Sequence, residues 1–258
     1  MFFYEEVKTM MKNIQGQYIW VIGASSGIGA ELAIALSQEG ANVIISARRE
    51  TELESVYAQL MGANHQMLTF DISDHSQTIA AFKSIKRLDR VVFMAAVYDP
   101  SESGRADIDF IQKSLQVNIG GVYNMLDVVA PFLATQGHGQ ISLCGSVSGY
   151  FGLPNAQPYS ATKAALVNLA ESLYIEYQPK NIDIKLISPG FVSTPMTSKN
   201  DFEMPMIINA KTAAQSIIKG LKGGAFEIHF PKRFTLLIKL LRLLPYWLAF
   251  KVSGKLIK

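Results

Sequence analysis

The stretch QPYSATKAAL, residues 157–166, sets Tyr159 and Lys163 four residues apart in a run that favours helix. That spacing is just over one helical turn, so the phenol and the ammonium project from one face. A free phenol titrates near ~10 and is a poor base at neutral pH, but a cation within a few ångströms lowers that value by roughly 1–3 units. Such a pair suits a tyrosine that trades one proton near pH 7. Ser146, in ISLCGSVSGYFG, lies 13 residues before the tyrosine. Asn118, in SLQVNIGG, stands between Val117 and Ile119 inside a helical pattern, where asparagine is a poor choice unless its amide is used.

A proton donor of this kind needs a redox partner, and the N-terminal part of the chain supplies a place for one. YIWVIG (18–23) runs into GASSGIGAELA, with Gly23, Gly27 and Gly29 ahead of an amphipathic helix and Ser25, Ser26 and Ile28 between them. Glycines after a strand allow a tight turn and let backbone N–H groups approach a pyrophosphate, which the helix N-terminus then stabilises. The spacing Gly-x-x-x-Gly-x-Gly is one residue looser than the usual dinucleotide fingerprint. The end of the second strand selects the cofactor: an acid holds the ribose 2′-hydroxyl of NAD, and a basic residue accommodates the 2′-phosphate of NADP. This chain reads Ala47-Arg48-Arg49 with no acid there. NADP(H) is therefore expected over NAD(H), with Arg48→Asp weakening or reversing the preference.

These residues need a scaffold. Short apolar, β-branched runs at 18–23, 42–47, 66–71, 90–95, 140–145, 183–188 and 226–230 read as strands. Helical patterns such as 30–40, 50–60, 76–85, 110–133 and 161–177 alternate with them. Strands apolar on both faces, each followed by a helix, predict right-handed βαβ units. The expected fold is a doubly wound (Rossmann) α/β domain with a parallel sheet of about seven strands over residues 1–230, and an amphipathic basic tail over 231–258.

Bulk properties bound the chemistry. The chain has 258 residues, 49% apolar and 17% charged, which is ample for one large core. One cysteine, Cys144, excludes an intramolecular disulfide and reads as a small buried hydrophobe. Four scattered histidines give no metal-ligand spacing, so no metal is expected. No nucleic-acid partner is indicated. The N-terminus carries Glu5 and Glu6 where a secretory signal would be basic, and a reducing, cytoplasmic setting is expected.

With YSATK, the glycine loop and the upstream serine in place, the chain resembles the short-chain dehydrogenase/reductase family over roughly residues 17–230. The resemblance implies that Tyr159 is the general acid in carbonyl reduction and the base in alcohol oxidation. Lys163 would bind the nicotinamide ribose and lower the tyrosine's pKa, Ser146 would hydrogen-bond the substrate oxygen, and Asn118 would hold a water for proton relay. It also implies cofactor contacts from Asp71 and Ile72 at the third strand's end, Ala95 at the fourth's, and Pro189, Gly190, Val192 and Thr194 after the sixth. Two positions depart from the family pattern. Ile22 replaces a threonine, and Met94-Ala95-Ala96-Val97 replaces Asn-Asn-Ala-Gly, whose amides tie neighbouring strands beneath the cofactor. A dimer or tetramer is the family expectation.

Substrate choice in the family falls to the loop after the sixth strand, here PMTSKNDFEMPMII (195–208). Phe202, Met196, Met204 and Met206 fit either a flexible apolar lid or a surface loop whose methionines pack on the sheet. With Tyr150, Phe151 and Leu153 beside Ser146, a hydrophobic carbonyl or alcohol is favoured over a sugar. The tail has seven basic residues and no acid from Ile228 onward. Lys239, Arg242 and Pro245 interrupt it, so it lacks the roughly 20 apolar residues that span a bilayer. Residues 234–258 fit a helix lying on an anionic membrane surface, at the inner face of a membrane, or one covering the pocket or meeting a second subunit. The rival to an oxidoreductase is a nucleotide-binding sensor or scaffold that kept the fold without turnover. An epimerase working through transient hydride transfer is a third class.

Overall fold

The computed structural model describes residues 13–100, 107–153 and 155–254. Seven parallel strands form one sheet: β1 (Tyr18–Ile22), β2 (Asn42–Ala47), β3 (Gln66–Thr69), β4 (Arg90–Phe93), β5 (Gly139–Cys144), β6 (Ile182–Pro189) and, last in the chain, β9 (Glu227–Phe230). Their spatial order is β3-β2-β1-β4-β5-β6-β9, so the α/β Rossmann-like architecture expected from the alternating runs is the one found. The order reverses beside β1, whose neighbours are β2 and β4. Such a switch point opens a crevice at the carboxyl ends of the strands.

Alternation along β1 divides the core. Ile19 and Val21 face the side covered by α1 (Gly27–Gln38) and α7 (Ala210–Leu221), where Leu32, Leu36, Ala213 and Ile217 are buried. Trp20 and Ile22 face the other side, covered by α5 (Gly121–Gln136) and α6 (Tyr159–Tyr177), with Met125, Val129, Leu166 and Ala170. The remaining helices near the sheet are α2 (Glu50–Tyr57), α3 (His75–Lys83) and α4 (Ile108–Leu115).

Four features differ from the simple reading of the sequence. The helical run around Asn118 is broken by a five-residue π-turn, Gln116–Gly120, between α4 and α5. Helix α7 was not among the segments the pattern brought out. A two-residue parallel ladder joins β7 (Val192–Ser193) to β8 (Ile208–Asn209) and closes the loop after β6 at its base. The tail forms two helices, α8 (Lys232–Leu243) and α9 (Tyr246–Ser253), parted at Pro245 and packed on the body through Phe234, Ile238, Leu241 and Ala249.

Candidate active site

The end of β5 brings the chemistry to the sheet's carboxyl edge. Ser146 caps the 3-10 turn Val147–Gly149. Its Oγ accepts from the Ser148 backbone N–H at 3.2 Å and the Ser148 hydroxyl at 3.0 Å, so its own hydrogen is left for the Tyr159 phenol oxygen or, in its place, a substrate oxygen. The turn lies directly on α6: a Cβ at Gly149 would stand 2.8 Å from the Lys163 carbonyl carbon. Only glycine permits that approach, and the approach sets Ser146 beside the first turn of α6.

Tyr159 opens α6, and Lys163 follows one turn later. The Lys163 ammonium is 1% exposed, donates to the Cys144 carbonyl at 2.6 Å and sits 5.3 Å from the centre of the Tyr159 ring. Burial pushes its pKa down, opposed by Cys144. Burial pushes the Tyr159 phenol well above its ordinary value, and a hydrogen bond from Ser146 pulls it back only in part. Desolvation therefore sets the direction of the shift rather than the lowering expected from the lysine, whose ammonium donates to the β5 carbonyl. Cys144 is buried and its thiol is also pushed up by burial, as suits a packing residue.

Asn118 is fully buried in the π-turn. Its Oδ1 accepts from the Val97 N–H at 2.8 Å, while its Nδ2 donates to the Val97 carbonyl at 3.1 Å and to Thr162 Oγ1 at 3.1 Å. The amide thus ties the loop after β4 to α6 one residue before Lys163. Both of its ends are occupied by protein, so a water expected at this residue would have to be met by its main chain.

The crevice beside β1 is a cleft of about 250 Å3, lined among others by Gly23, Ser25, Ser26, Arg49, Ile72 and Ala95. Gly23, at φ +91°, is pressed against the chain just past β4: a Cβ there would lie 2.5 Å from the Ala95 nitrogen. This is a cradle that a side chain would fill, as a pyrophosphate loop requires. Arg49 donates to Ser25 Oγ at 3.0 Å and Ser26 Oγ at 2.8 Å, which puts a guanidinium and two hydroxyls together at the loop. Arg48, which also lines the cleft, turns to Asp71 at 3.3 Å. The Asp71 carboxyl lies below its usual range: burial raises it, but hydrogen bonds from Ser73 and the charge of Arg48 outweigh that effect.

Thr194 packs on the loop from the β6 side, its Cγ2 lying 3.2 Å from where a Gly27 Cβ would stand. Val192 is buried at the short ladder, Gly190 donates to the Phe230 carbonyl at 2.7 Å, and Pro189 ends β6. Ile28 and Gly29 form the first turn of α1. The strand ends that the family's asparagines would tie are held here by backbone, Gly23 N–H to Ser46 O at 2.8 Å and Met94 N–H to Ile22 O at 2.8 Å. Among the described residues no group of three or more His, Cys, Asp or Glu side chains could hold a metal.

Several residues at the site escaped sequence reasoning. Tyr98 stands edge-on to Tyr159, ring centres 5.0 Å apart, and its hydroxyl donates to Asn200 Oδ1 at 2.6 Å. Lys199 reaches the Tyr98 carbonyl and pairs with Asp99. These contacts latch the 195–208 loop onto the loop after β4. On the other flank Tyr150 donates to Glu227 of β9, and Lys239 of α8 donates to the same carboxylate. Burial would raise the Glu227 pKa, but the hydrogen bonds from Lys239 and Tyr150 hold it below its ordinary value of 4.5.

A depressed carboxylate contributes stability that is present above its unfolded pKa and lost as pH falls through the folded one. Glu227→Gln is therefore expected to cost roughly 1–3 kcal/mol near neutral pH and to flatten the loss of melting temperature on acidification below the 4.5 reference value. Melting curves from acidic to neutral pH check this; parallel curves for the two proteins would contradict it.

Comparison with known proteins shows the family. A model of the short chain dehydrogenase family matches residues 17–204. The chain belongs to the short-chain dehydrogenase family. The oxidoreductase UcpA of Escherichia coli is 33% identical over 72% of this chain and 73% of its own length. An uncharacterized oxidoreductase of Myxococcus xanthus is 28% identical over 87% of this chain and 91% of its own. Among solved structures, a short-chain dehydrogenase of Burkholderia cenocepacia in complex with NADP superposes with a TM-score of 0.84 at 24% identity, over 93% of this chain and 98% of that one. This short-chain dehydrogenase is an oxidoreductase of a family that uses NAD or NADP.

Proposed function

We propose that the protein transfers a hydride between NADP(H) and an apolar carbonyl or alcohol, with Tyr159 as the proton donor or acceptor. The observation that carries this reading is the convergence of Ser146, Tyr159 and Lys163 at the sheet edge, next to a glycine cradle with Arg49 and two serines. Bound in the cleft, the nicotinamide supplies or takes the hydride. The chain's residues do the rest. Ser146 donates a hydrogen bond to the carbonyl oxygen. As that oxygen gains the electron pair of the broken C=O π bond, Tyr159 gives it a proton. Burial keeps the phenol protonated, which is the form that reduction needs. Lys163 leaves a positive charge beneath the resulting tyrosinate, and Asn118 positions α6 through Thr162.

Arg49, with Ser25 and Ser26, is the part of the cleft that suits a 2′-phosphate, a doubly charged acceptor best met by a planar guanidinium. Both arginines also meet a carboxylate, Arg48 with Asp71 at 3.3 Å and Arg49 with Glu52 at 3.2 Å, so what sets Arg49 apart is its hydrogen bonds to Ser25 and Ser26. Arg49→Glu is expected to lower kcat/KM for NADPH by roughly tenfold to a hundredfold, the scale of one or two charge-assisted hydrogen bonds, and to change NADH little. Arg48→Asp should do less. Equal wild-type kcat/KM for the two cofactors would overturn the NADP assignment. The apolar substrate class rests on Tyr150, Phe151, Leu153 and Phe191, which cluster beside Val147 next to Ser146.

A further inference from the structure

Helices α8 and α9 bury one side and leave the other bare. Phe234, Thr235, Ile238 and Leu241 of α8 and Ala249 and Ser253 of α9 are buried, most of them against Val147 and Phe151. On the outer side Leu237, Leu240, Leu243, Tyr246, Trp247 and Phe250 are all more than half exposed, with Leu243 at 79% and Trp247 at 70%. Single exposed leucines need no explanation, but a run of large apolar groups along two consecutive helices marks an interaction surface. Lys232, Arg233, Arg242 and Lys251 are exposed on the same two helices, and no acid follows Glu227 in the chain.

We propose that this face lies in the surface of an anionic lipid bilayer, with α8 and α9 in the plane of the headgroups. An apolar ridge with a tryptophan and a tyrosine and a basic rim is the composition of an interfacial helix. Each lysine or arginine near such a surface contributes about 1 kcal/mol. Spanning is excluded by length: α8 has 12 residues, so it extends about 18 Å, short of the ~30 Å hydrocarbon core. A second copy of the chain fits the face poorly. A two-fold contact would set this basic rim against itself, with no acid in the tail to offset the repulsion.

The buried side of the same helices packs on Val147 and Phe151, which follow Ser146 in the chain. A groove of about 440 Å3 is lined by Phe151 and residues 241–246, beside the exposed ridge. On the carbonyl reading, an apolar substrate dissolved in the bilayer would lie next to this groove. The docking itself does not depend on turnover.

The test is sedimentation of the full-length protein with vesicles of phosphatidylcholine, with and without phosphatidylglycerol, at low and high salt. The protein is expected to sediment with the anionic vesicles and to be released by salt. The double variant Leu240→Glu/Trp247→Glu, altered only at exposed positions, should lose vesicle affinity by at least about tenfold, the scale of burying one large apolar side chain, at an unchanged melting temperature. Three results would overturn the proposal: wild type remaining in the supernatant, wild type forming a dimer that this variant abolishes, or the variant sedimenting like wild type. Because the readout needs no turnover, its failure would leave the carbonyl reading standing, and loss of turnover would leave this one standing.

Discussion

Tyr159→Phe is expected to keep NADPH binding and lower carbonyl reduction by about 10²–10⁴-fold, the usual contribution of a positioned proton donor. The substitution removes one oxygen and keeps the ring, so the edge contact with Tyr98 and the start of α6 should survive. An unchanged melting temperature with collapsed turnover would place the loss in chemistry. The pH profile is a second signature. Burial raises the phenol, so the reactive protonated form persists through neutral pH and is lost only on the alkaline side. Wild-type reduction should be flat near neutrality and fall at high pH, and the residual activity of the variant should not share that fall. If Tyr159→Phe turns over like wild type, another group donates the proton and the reading of the site is wrong.

Gly23→Ala is expected to destabilise the fold and weaken cofactor binding together. Position 23 holds φ +91° and presses on the chain just past β4, where a new Cβ would meet the Ala95 nitrogen at 2.5 Å. The left-handed backbone costs an alanine about 1–2 kcal/mol, and overpacking against backbone that cannot step aside adds about 1–3. Gly137 is the control. It caps α5 at φ +78° with nothing within 4 Å of its would-be Cβ, so Gly137→Ala carries only the strain. Melting temperatures should fall further for Gly23→Ala, and only that variant should lose NADPH affinity. Equal effects would mean that the close approach to Ala95 contributes nothing.

The central strands were legible because they are apolar, β-branched runs buried on both faces, with β4 and β5 buried at every residue, while the edge strands β3 and β9 are only partly buried. The spacing of Tyr159 and Lys163 was legible for the same local reason, one helical turn. What the sequence withheld is long-range or subtle in geometry. A π-turn differs from an α-helix by one residue in its hydrogen bonding, and no period announces it, so the setting of Asn118 was invisible. Two adjacent arginines read alike, and only the path of the chain after β2 decides that Arg49 meets Ser25 and Ser26 while Arg48 meets Asp71.

The Tyr98–Asn200 latch joins residues 102 apart, and the Tyr150–Glu227–Lys239 cluster joins three elements. The charge asymmetry of the tail stood out in the sequence, but not which face it buries. Both packing on Val147 and Phe151 and leaving an apolar ridge bare follow from the bend at Pro245 and from where β9 delivers the chain.

The most direct measurement is NADPH oxidation by the purified wild-type protein over a panel of apolar aldehydes and ketones, with NADPH binding followed by fluorescence in the same samples. The account predicts that NADPH binds and is consumed by at least one apolar carbonyl, at a rate that depends on Tyr159. Tight NADPH binding with no consumption across the panel would contradict it and make the protein a nucleotide-binding sensor on this fold.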